Sequence, residues 1–492
     1  MKLKIKIFNW IAGRPVVVIN QETAKKLNVH VDERIQLSSD GKKINAVVDI
    51  FEKIVKNGEI GISHEVNSIL KLKNNSKVEI SLSELYPAGQ IIKKKIQGKK
   101  LSKKELEIVI SEIVQNRLTE PEIAYFAAAE KLEGMSIMEV INLIKAMVKS
   151  GNKLNFNKKI IADKHSIGGI AGNRTSPLVV SICAAAGLTI PKTSSRAITS
   201  ASGTADVIET IANVEFSFKE LQKIIDKINA CLAWGGALGL APSDDKIIHV
   251  ERILNLDVEP QLLASIMSKK IASGSNHILI DIPYGKSAKV ETRKKAEELG
   301  KKFKKIAKYF KLKLRVVYTS GAQPIGNGIG PVLEMLDIIS VLQNKPYPED
   351  LKKKALFLSS ELMKLCKIKN AKFKAKEILE SGQAYQKFKE IINAQNNSND
   401  FEKRISLLKP AKFRKIIKAH KSGQIIEIDN KKINLLCRIL GTPESKSSGI
   451  YLFHHLGKIK KFQPIMAFYS ESESRIKDAL RFYDKSCPVI IK

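Results

Sequence analysis

The 492-residue chain has few cysteines, and their spacing argues against cysteine-based sites. The cysteines are scattered without a metal-ligand or redox-pair spacing, at Cys183, Cys231, Cys366, Cys437 and Cys487. Such a set is typical of reduced thiols in a cytoplasm. No histidine or carboxylate cluster has a convincing metal spacing, and the adjacent pair His454-His455 in a strand would point to opposite faces. We therefore expect a cytoplasmic protein without a metal site.

Long apolar runs and aromatic residues are also scarce. No apolar stretch is long enough to span a bilayer, and the amino terminus alternates lysines with apolar residues instead of forming a signal-peptide core. Aromatic residues make up 6% of the chain, and few of them stand among the lysines behind the formal net charge of +34. Nucleic acid would be attracted by this charge, but stacking of bases needs aromatic side chains. The lysines therefore indicate a solvated surface or an anionic substrate, and a noncatalytic basic RNA-binding protein is the alternative from another class.

The residue pattern changes along the chain and predicts four domains. Residues 1–85 combine short strand patterns with turns, which predicts a small β-rich domain. Residues 88–157 have helical periodicity and predict a helical lobe, to which 243–272 returns. Residues 158–372 alternate strand and helix patterns, which predicts an α/β domain with a mixed, largely parallel sheet covered by helices. Residues 373–492 predict an α+β carboxyl-terminal lobe.

Local motifs define the helix starts and the strand ends. Helix starts are predicted by the capping-box pairs Ser102 with Glu105, Thr119 with Glu122 and Ser136 with Glu139. Buried strands are predicted at 159–162, 230–234, 277–282 and 314–318, and each is followed by a glycine-containing or polar loop. Because ligands of open α/β sheets bind beyond the carboxyl ends of the strands, these loops are expected to share one site.

The first of these loops combines glycines with a cation. It reads Asp163-Lys164-His165-Ser166-Ile167-Gly168-Gly169 and leads into a helical pattern from Leu178. The two glycines allow the backbone to approach a ligand, and the free N–H groups at a helix start favour an anion. Lys164 adds a full positive charge. The loop therefore predicts a phosphate site, although a glycine turn alone has a high false-positive rate.

A second polar loop follows the next apolar segment. It reads Lys192-Thr193-Ser194-Ser195-Arg196-Ala197-Ile198-Thr199-Ser200, followed by Gly203-Thr204-Ala205-Asp206. Its hydroxyl groups and Arg196 have the chemistry to surround a sugar or a second phosphate. An ordinary polar connection is the alternative interpretation.

Together the two loops resemble the signatures of the thymidine and pyrimidine-nucleoside phosphorylase family. Residues 164–169 match the Lys-His-Ser-x-Gly-Gly loop of that family, and 194–197 with 203–206 and Glu209 match its second signature. Gly172-Asn173 stands where the nucleoside enzymes have Gly-Asp, which points to the AMP phosphorylase branch. The resemblance runs nearly end to end and includes an amino-terminal β-rich domain implicated in assembly.

The resemblance implies a nucleoside phosphorylase-like fold and a pentosyltransferase activity. The implied reaction splits AMP, with CMP and UMP as further candidates, by inorganic phosphate into free base and ribose 1,5-bisphosphate. It needs no metal or organic cofactor, since phosphate is a co-substrate, and the enzyme is expected to be a homodimer or a larger homo-oligomer. A thymidine or pyrimidine-nucleoside phosphorylase remains the alternative within the family. The stretch His249-Val250-Glu251-Arg252 does not line up with the Arg-Asp pair that reads the pyrimidine in those enzymes, which favours a nucleotide substrate.

Site residues follow from the same resemblance. The implied substrate-binding residues are Gly169, Ser195, Arg196, Ala197, Ile198, Thr199, Ser200, Thr204, Ser265 and Lys289. Secondary candidates are Lys164, His165, Ser166, Ser194 and Lys269.

Two of the implied roles are chemically distinct. Lys289 would pair with the 5′-phosphate of the nucleotide, because nucleoside phosphorylases have fewer positive charges in that loop. Asp257 is the implied proton donor to the departing base, with His165 as the second choice. Donation near neutral pH requires a protonated carboxyl group, which desolvation or a neighbouring acid can provide.

Overall fold

The computed structural model describes residues 1–8, 10–82, 87–197, 200–254 and 256–492. The chain forms two compact units. One contains residues 1–150 and 242–264, and the other contains residues 151–241 and 265–492.

The first unit begins with a closed six-stranded barrel of order β1-β5-β2-β4-β3-β6. Its elements are β1 (Lys2–Ile7), β2 (Val16–Ile19), α1 (Gln21–Leu27), β3 (Arg34–Ser39), β4 (Lys42–Ile50), β5 (Glu59–Ile62), α2 (His64–Leu70) and β6 (Lys77–Leu82). In β1 the apolar side chains of Leu3 and Ile5 are buried, whereas the lysines between them are exposed. This alternation directs one face of each strand into the barrel core.

A helical lobe follows the barrel. Its helices are α3 (Pro87–Ile96), α4 (Lys103–Val114), α5 (Glu120–Glu133) and α6 (Ile137–Lys149). All three predicted capping boxes are confirmed, with Ser102, Thr119 and Ser136 as the N-cap residues of α4, α5 and α6. These caps satisfy backbone N–H groups that the first helical turn leaves without a partner.

The second unit opens with strands and helices in alternation. They are β7 (Ala162–Ser166), α7 (Thr175–Ala185), β8 (Ile190–Ser194), α8 (Thr204–Ile208), α9 (Phe218–Ile228) and β9 (Ala230–Trp234). Strands β8 and β9 pair in parallel, and a parallel bridge joins Ile161 to Thr189. The carboxyl ends of β7 and β8 therefore lie at the same edge.

The chain then returns to the first unit. The returning elements are α10 (Pro242–Ile253) and the part of α11 (Glu259–Ala272) up to Ala264. The ammonium group of Lys246 on α10 donates to the carbonyls of Ile113 and Val114 at 2.9 and 2.8 Å. Since orphan carbonyls end a helix, this lysine caps α4 and fastens α10 to it.

Further elements complete the α/β layer. They are β10 (His277–Tyr284), α12 (Arg293–Tyr309), β11 (Lys313–Ser320), β12 (Gly328–Ile329), α13 (Pro331–Leu342), α14 (Glu349–Leu365), α15 (Ala371–Glu380), α16 (Gln383–Asn396) and α17 (Phe401–Ser406). Strands β11, β10 and β7 form a parallel sheet in that order. One apolar core joins Leu178, Leu279 and Leu358 to Phe388 and Phe401. The core of this layer therefore extends past residue 372, because α16 packs on α7 and α17 packs on α16.

The observed strands differ from the sequence expectation at the first loop. A strand was expected over 159–162, with Lys164, His165 and Ser166 in the loop that follows. Instead β7 runs from Ala162 to Ser166, paired in parallel with 277–281 of β10. Ser194 likewise ends strand β8. Polar side chains tolerate these buried strand positions because ion pairs and hydrogen bonds compensate their desolvation.

The carboxyl-terminal lobe contains two further sheets. Its elements are β13 (Phe413–Lys418), β14 (Gly423–Ile428), α18 (Asn430–Leu440), β15 (Gly449–Leu452), β16 (Gly457–Ile459), β17 (Pro464–Ser470), α19 (Glu473–Ser486) and β18 (Val489–Ile491). The sheets have the orders β12-β15-β17-β13 and β16-β14-β18, so β12 of the α/β layer is an edge strand of this lobe. Within the described part of the chain, no helix combines the length and apolar character needed to cross a membrane.

Candidate active site

Asp163 on β7 is the centre of a buried ion cluster. Its carboxylate accepts a hydrogen bond from the Lys270 ammonium at 2.5 Å and lies 3.5 Å from the ammonium of Lys192. All three side chains are buried. Burial lowers the pKa of Lys270 to about 7, although the Asp163 carboxylate opposes this shift. While Lys270 and Lys192 are both protonated, their charge exceeds that of the single carboxylate, which favours an anion nearby.

Lys164 points its ammonium group at the start of α7. The ammonium donates to the Thr175 hydroxyl at 2.8 Å and lies 3.5 Å from the Ser176 hydroxyl. Burial lowers the pKa of Lys164 to about 8, and the carboxylate of Asp281 acts in the opposite direction. Lys164 therefore joins a cation to a helix amino terminus, which is a favourable arrangement for phosphate.

His165 is surrounded by cations. Burial lowers the pKa of its imidazole well below the ordinary value, and Lys270, Lys192, Lys164 and Lys269 lower it further. The ring is therefore neutral at neutral pH. This state argues against His165 as the acid that protonates a departing base, because a neutral imidazole is a poor acid.

The glycine loop touches the loop that carries Lys289. Gly168 and Gly169 have φ angles of +84° and +87°, in the left-handed region that favours glycine. A Cβ atom on Gly169 would lie 2.6 Å from the backbone nitrogen of Lys289 and 2.8 Å from its Cβ. Glycine at this position is therefore what allows the two loops to meet.

A buried pair between Asp281 and Lys354 lies at the carboxyl end of β10. The Asp281 carboxylate accepts from the Thr319 hydroxyl at 2.6 Å and lies 3.3 Å from the Lys354 ammonium. Nothing in the sequence marks Lys354, because the same helix also carries Lys352, Lys353 and Lys364. Its charge offsets a carboxylate that would otherwise repel an anion near Lys164.

The second loop is fastened by Asp206 on α8. One carboxylate oxygen of Asp206 accepts from the backbone N–H groups of both Ala197 and Gly203, each at 2.7 Å. A Cβ atom on Gly203 would lie 2.4 Å from the carbonyl oxygen of Ser195, so the two ends of the loop touch. The hydroxyl of Ser200 donates to the Ser202 carbonyl at 2.7 Å. The predicted residues Ile198 and Thr199 lie outside the described residues.

Arg196 is engaged with three carboxylates. Its guanidinium is 2.7 Å from Glu209, 2.9 Å from Glu215 and 3.4 Å from Asp206, and it stacks on the Trp234 ring at 4.7 Å. The hydrogen bonds with Arg196 lower the pKa of Glu209 to about 2. A direct phosphate contact of Arg196 stays a prediction, and these contacts favour a role in holding the loop.

Arg174 joins the two loops and was not among the predicted site residues. Its guanidinium donates to Glu334 at 2.6 Å, to the Thr204 hydroxyl at 3.1 Å and to the Ser202 carbonyl at 2.6 Å. Arg174 directly precedes α7. The one sequence signal for Arg174 was its position between a glycine loop and a helix. Its partners are distant in sequence and could not be predicted.

The remaining predicted residues lie on or near α11. Ser265 and Lys269 are one helical turn apart and belong to the second unit. Asp257 belongs to the first unit, between α10 and α11, where its backbone carbonyl accepts from the Lys131 ammonium at 2.5 Å. The proton-donor role of Asp257 stays a prediction.

The residues of the second unit are suited to binding oxyanions. Lys164, the hydroxyls of Ser194, Ser195 and Thr204, and the glycine backbone are potential hydrogen-bond donors to an oxyanion. Among the described residues, no group of three or more histidine, cysteine or acidic side chains could hold a metal ion. The pair His454-His455 has other partners, the Pro464 carbonyl and the Asn327 side chain.

Comparison with protein-family models matches two consecutive segments of the chain. Residues 89–151 match the helical bundle domain of the glycosyl transferase family, and residues 158–385 match its α/β domain. The second segment contains the glycine loop, Lys289 and the second polar loop of residues 192–206, which is called the serine-rich loop below.

Curated relatives match the chain over its whole length. The AMP phosphorylase of Thermococcus kodakarensis is 40% identical, over 100% of this chain and 98% of its own. The AMP phosphorylase of Pyrococcus horikoshii is 42% identical over the same shares of the two chains. The AMP phosphorylase of Thermofilum pendens is 37% identical, over 100% of this chain and 95% of its own.

A solved structure supports the fold. Anthranilate phosphoribosyltransferase from Thermus thermophilus superposes with a TM-score of 0.51 at 16% identity, over 62% of this chain and 99% of its own. The fold is therefore of the nucleoside phosphorylase-like α/β type, as the sequence predicted.

Proposed function

This chain belongs to the AMP phosphorylase family, and on this premise we propose that it cleaves AMP with inorganic phosphate into adenine and ribose 1,5-bisphosphate. The enzyme is a pentosyltransferase of nucleotide catabolism. CMP and UMP are further candidate substrates.

The reaction exchanges one bond at the anomeric carbon of the ribose. A phosphate oxygen attacks C1′ while the C1′–N bond to the base breaks, through an oxocarbenium-like state similar to that of glycosidases. The electron pair of the broken bond stays on the base, which takes up a proton. The protein must align two anions, offset their repulsion and supply that proton.

The oxyanion donors of the second unit fit the first two of these tasks. We assign the attacking phosphate to Lys164, the backbone at Gly169 and the hydroxyls of the serine-rich loop. The excess positive charge around Asp163 supports this assignment, because it favours a dianion in a poorly solvated site. Asp257 is the proposed proton donor, and Ser265 and Lys269 are proposed to contact the nucleotide.

The contact between Gly169 and Lys289 is the observation that carries the choice of a nucleotide. Because the backbone of Lys289 packs on Gly169, the side chain of Lys289 begins directly beside the glycine loop. A nucleoside carries no phosphate group that Lys289 could bind in addition to the attacking phosphate. A 5′-monophosphate does, and Lys289 is therefore proposed to pair with the 5′-phosphate.

Two further features belong to this proposal. The enzyme works without a metal or organic cofactor, with phosphate as co-substrate. It assembles as a homodimer or larger homo-oligomer, to which the amino-terminal barrel is proposed to contribute.

Substrate profiling tests the proposed function. The full chain is incubated with AMP, CMP, UMP, adenosine, thymidine or uridine, each with and without phosphate, and free base is quantified by chromatography. We expect phosphate-dependent adenine release from AMP to exceed base release from every nucleoside. Preference for thymidine or uridine over AMP would contradict the proposal.

A further inference from the structure

Helix α18 of the carboxyl-terminal lobe presents two asparagines to the loops of the candidate site. Asn430 and Asn434 are four residues apart and therefore lie on one face of the helix. Both side chains are buried. Asp429 caps the helix by accepting from the backbone N–H groups of Lys431 and Lys432 at 2.8 and 3.0 Å. This cap stabilises the first turn of α18.

Asn430 bridges three loops with a single amide. Its oxygen accepts from the backbone N–H of Ala171 in the glycine loop at 3.1 Å. Its nitrogen donates to the hydroxyl of Ser287, two residues before Lys289, at 3.1 Å, and to the carbonyl of Gly321 after β11 at 3.2 Å. The backbone N–H of Asn430 also donates to Ser287 at 3.1 Å. The glycine loop and the Lys289 loop are therefore spaced by one side chain.

Asn434 holds the serine-rich loop in the same way. Its side-chain oxygen accepts from the backbone N–H of Ala201 at 3.0 Å. Ala171 and Ala201 are also members of the apolar core that contains Ile433 and Leu436 of α18. Each loop is thus attached to the carboxyl-terminal lobe by one hydrogen bond and one buried methyl group.

We propose that Asn430 and Asn434 are positioning residues, which set the spacing of the glycine loop, the Lys289 loop and the serine-rich loop and thereby the affinity for phosphate and nucleotide. The matched family segments end at residue 385, so this role belongs to a part of the chain outside them. The inference rests on the proposed function for the identity of the substrates.

The physical reason is the rigidity of an amide anchored on a helix. A buried backbone N–H that loses its acceptor must find another partner, so the loop that carries it shifts. Loops that bind two anions side by side are sensitive to such shifts, because misplacement of about 1 Å can cost on the order of a hundredfold in rate. The asparagines need not touch a substrate to have this effect.

The test compares Asn434→Ala with Asn434→Asp, and adds Asn430→Ala. The aspartate keeps the oxygen that accepts from Ala201, whereas the alanine loses it. Phosphate affinity of the full chain is measured by calorimetric titration with inorganic phosphate, and KM for AMP and for phosphate by adenine release. We expect Asn434→Ala and Asn430→Ala to weaken phosphate binding about tenfold, as one unpaired buried donor predicts, and Asn434→Asp to stay within about threefold of wild type.

Asn276→Ala is the matched control. Asn276 also ties two backbone groups, accepting from Ile161 at 2.9 Å and donating to Lys159 at 3.0 Å, but it precedes β10 at the amino end of the sheet. The Asn276→Ala variant should lower the melting temperature without changing the KM for AMP or the KM for phosphate.

Asn430→Ala and Asn434→Ala variants that melt earlier but keep wild-type affinities would overturn the inference. If Asn430→Ala does not fold, the comparison of Asn434→Ala with Asn434→Asp still tests the inference. Absence of adenine release by the wild type would refute the proposed function alone, since the phosphate titration measures positioning without turnover.

Discussion

Replacement of Gly169 by alanine should separate nucleotide use from nucleoside use. The residue has a φ of +87°, which costs alanine about 1–2 kcal/mol of stability. The added methyl group would lie 2.6 Å from the backbone nitrogen of Lys289, whereas ordinary contact begins at 3.4 Å. The Lys289 loop must therefore move by roughly 0.8 Å, a displacement of the size that can cost on the order of a hundredfold in rate.

Gly168→Ala is the matched control for this experiment. Gly168 has nearly the same φ, +84°, but its added methyl group would have no described atom within 4 Å. Both variants therefore carry the same backbone strain, and Gly169→Ala alone displaces Lys289. The assay is kcat/KM for AMP and for adenosine, both at saturating phosphate, with urea unfolding to compare stability.

We expect the ratio of AMP to adenosine efficiency to fall at least tenfold in Gly169→Ala relative to Gly168→Ala. The two variants should differ less in their free energy of unfolding than in this ratio, because movement of the Lys289 loop relieves the overlap. Equal ratios in the two variants would refute the reasoning that Gly169 sets the place of Lys289.

Four further changes test individual residues. Lys289→Ala should lower kcat/KM for AMP about 10- to 100-fold, as expected for loss of roughly 1.5–3 kcal/mol from a charged hydrogen bond, and leave adenosine use unchanged; equal losses for both substrates would exclude the assignment. Asp257→Asn should retain AMP binding in equilibrium dialysis while turnover collapses, and near-normal turnover would remove Asp257 as the donor. Because burial lowers the pKa of Lys164 to about 8, its cation is lost as the pH rises through 8, so KM for phosphate should rise by about tenfold per pH unit above that value. A profile that stays flat to pH 10 would contradict this. Burial raises the pKa of Glu130, whose oxygens have no hydrogen-bond partner among the described residues, and the neighbouring Glu251 raises it further. Its contribution to the free energy of unfolding is therefore complete below the ordinary pKa of 4.5 and is lost as the pH rises. Glu130→Gln should consequently be stabilised relative to wild type at pH 7 but not at pH 4 in urea unfolding, and an equal difference at both pH values would refute it.

Features that depend on nearby residues could be predicted from the sequence. The capping boxes of α4, α5 and α6 join residues three positions apart, so the pattern itself states the contact. The strand 230–234 was also predicted at its observed bounds, because an apolar run between turn residues marks it. Local chemistry is sufficient in these cases.

Buried polar strands could not be predicted in this way. Asp163, Lys164 and His165 look like a loop because polar residues are costly inside a sheet, and contacts such as the ion pair between Asp163 and Lys270 make the strand acceptable. That partner is 107 positions away along the chain.

Contacts between distant loops were the other gap. Asn430 is 259 positions from Ala171, and nothing near it in the sequence marks it as part of a site. Arg196 shows the converse case, since its motif predicted a phosphate contact and the structure adds carboxylate partners at Glu209 and Glu215. The residue types of the loops predicted their chemistry. The contacts made in the folded chain determine which of those side chains can bind a ligand.

Transfer of labelled orthophosphate tests the central claim most directly. The full chain is incubated with AMP and ³²P-orthophosphate, and the sugar products are separated and counted. We expect ribose 1,5-bisphosphate that carries one labelled phosphate for each adenine released. Adenine release without label in the sugar, with ribose 5-phosphate as the product, would show hydrolysis and contradict the account.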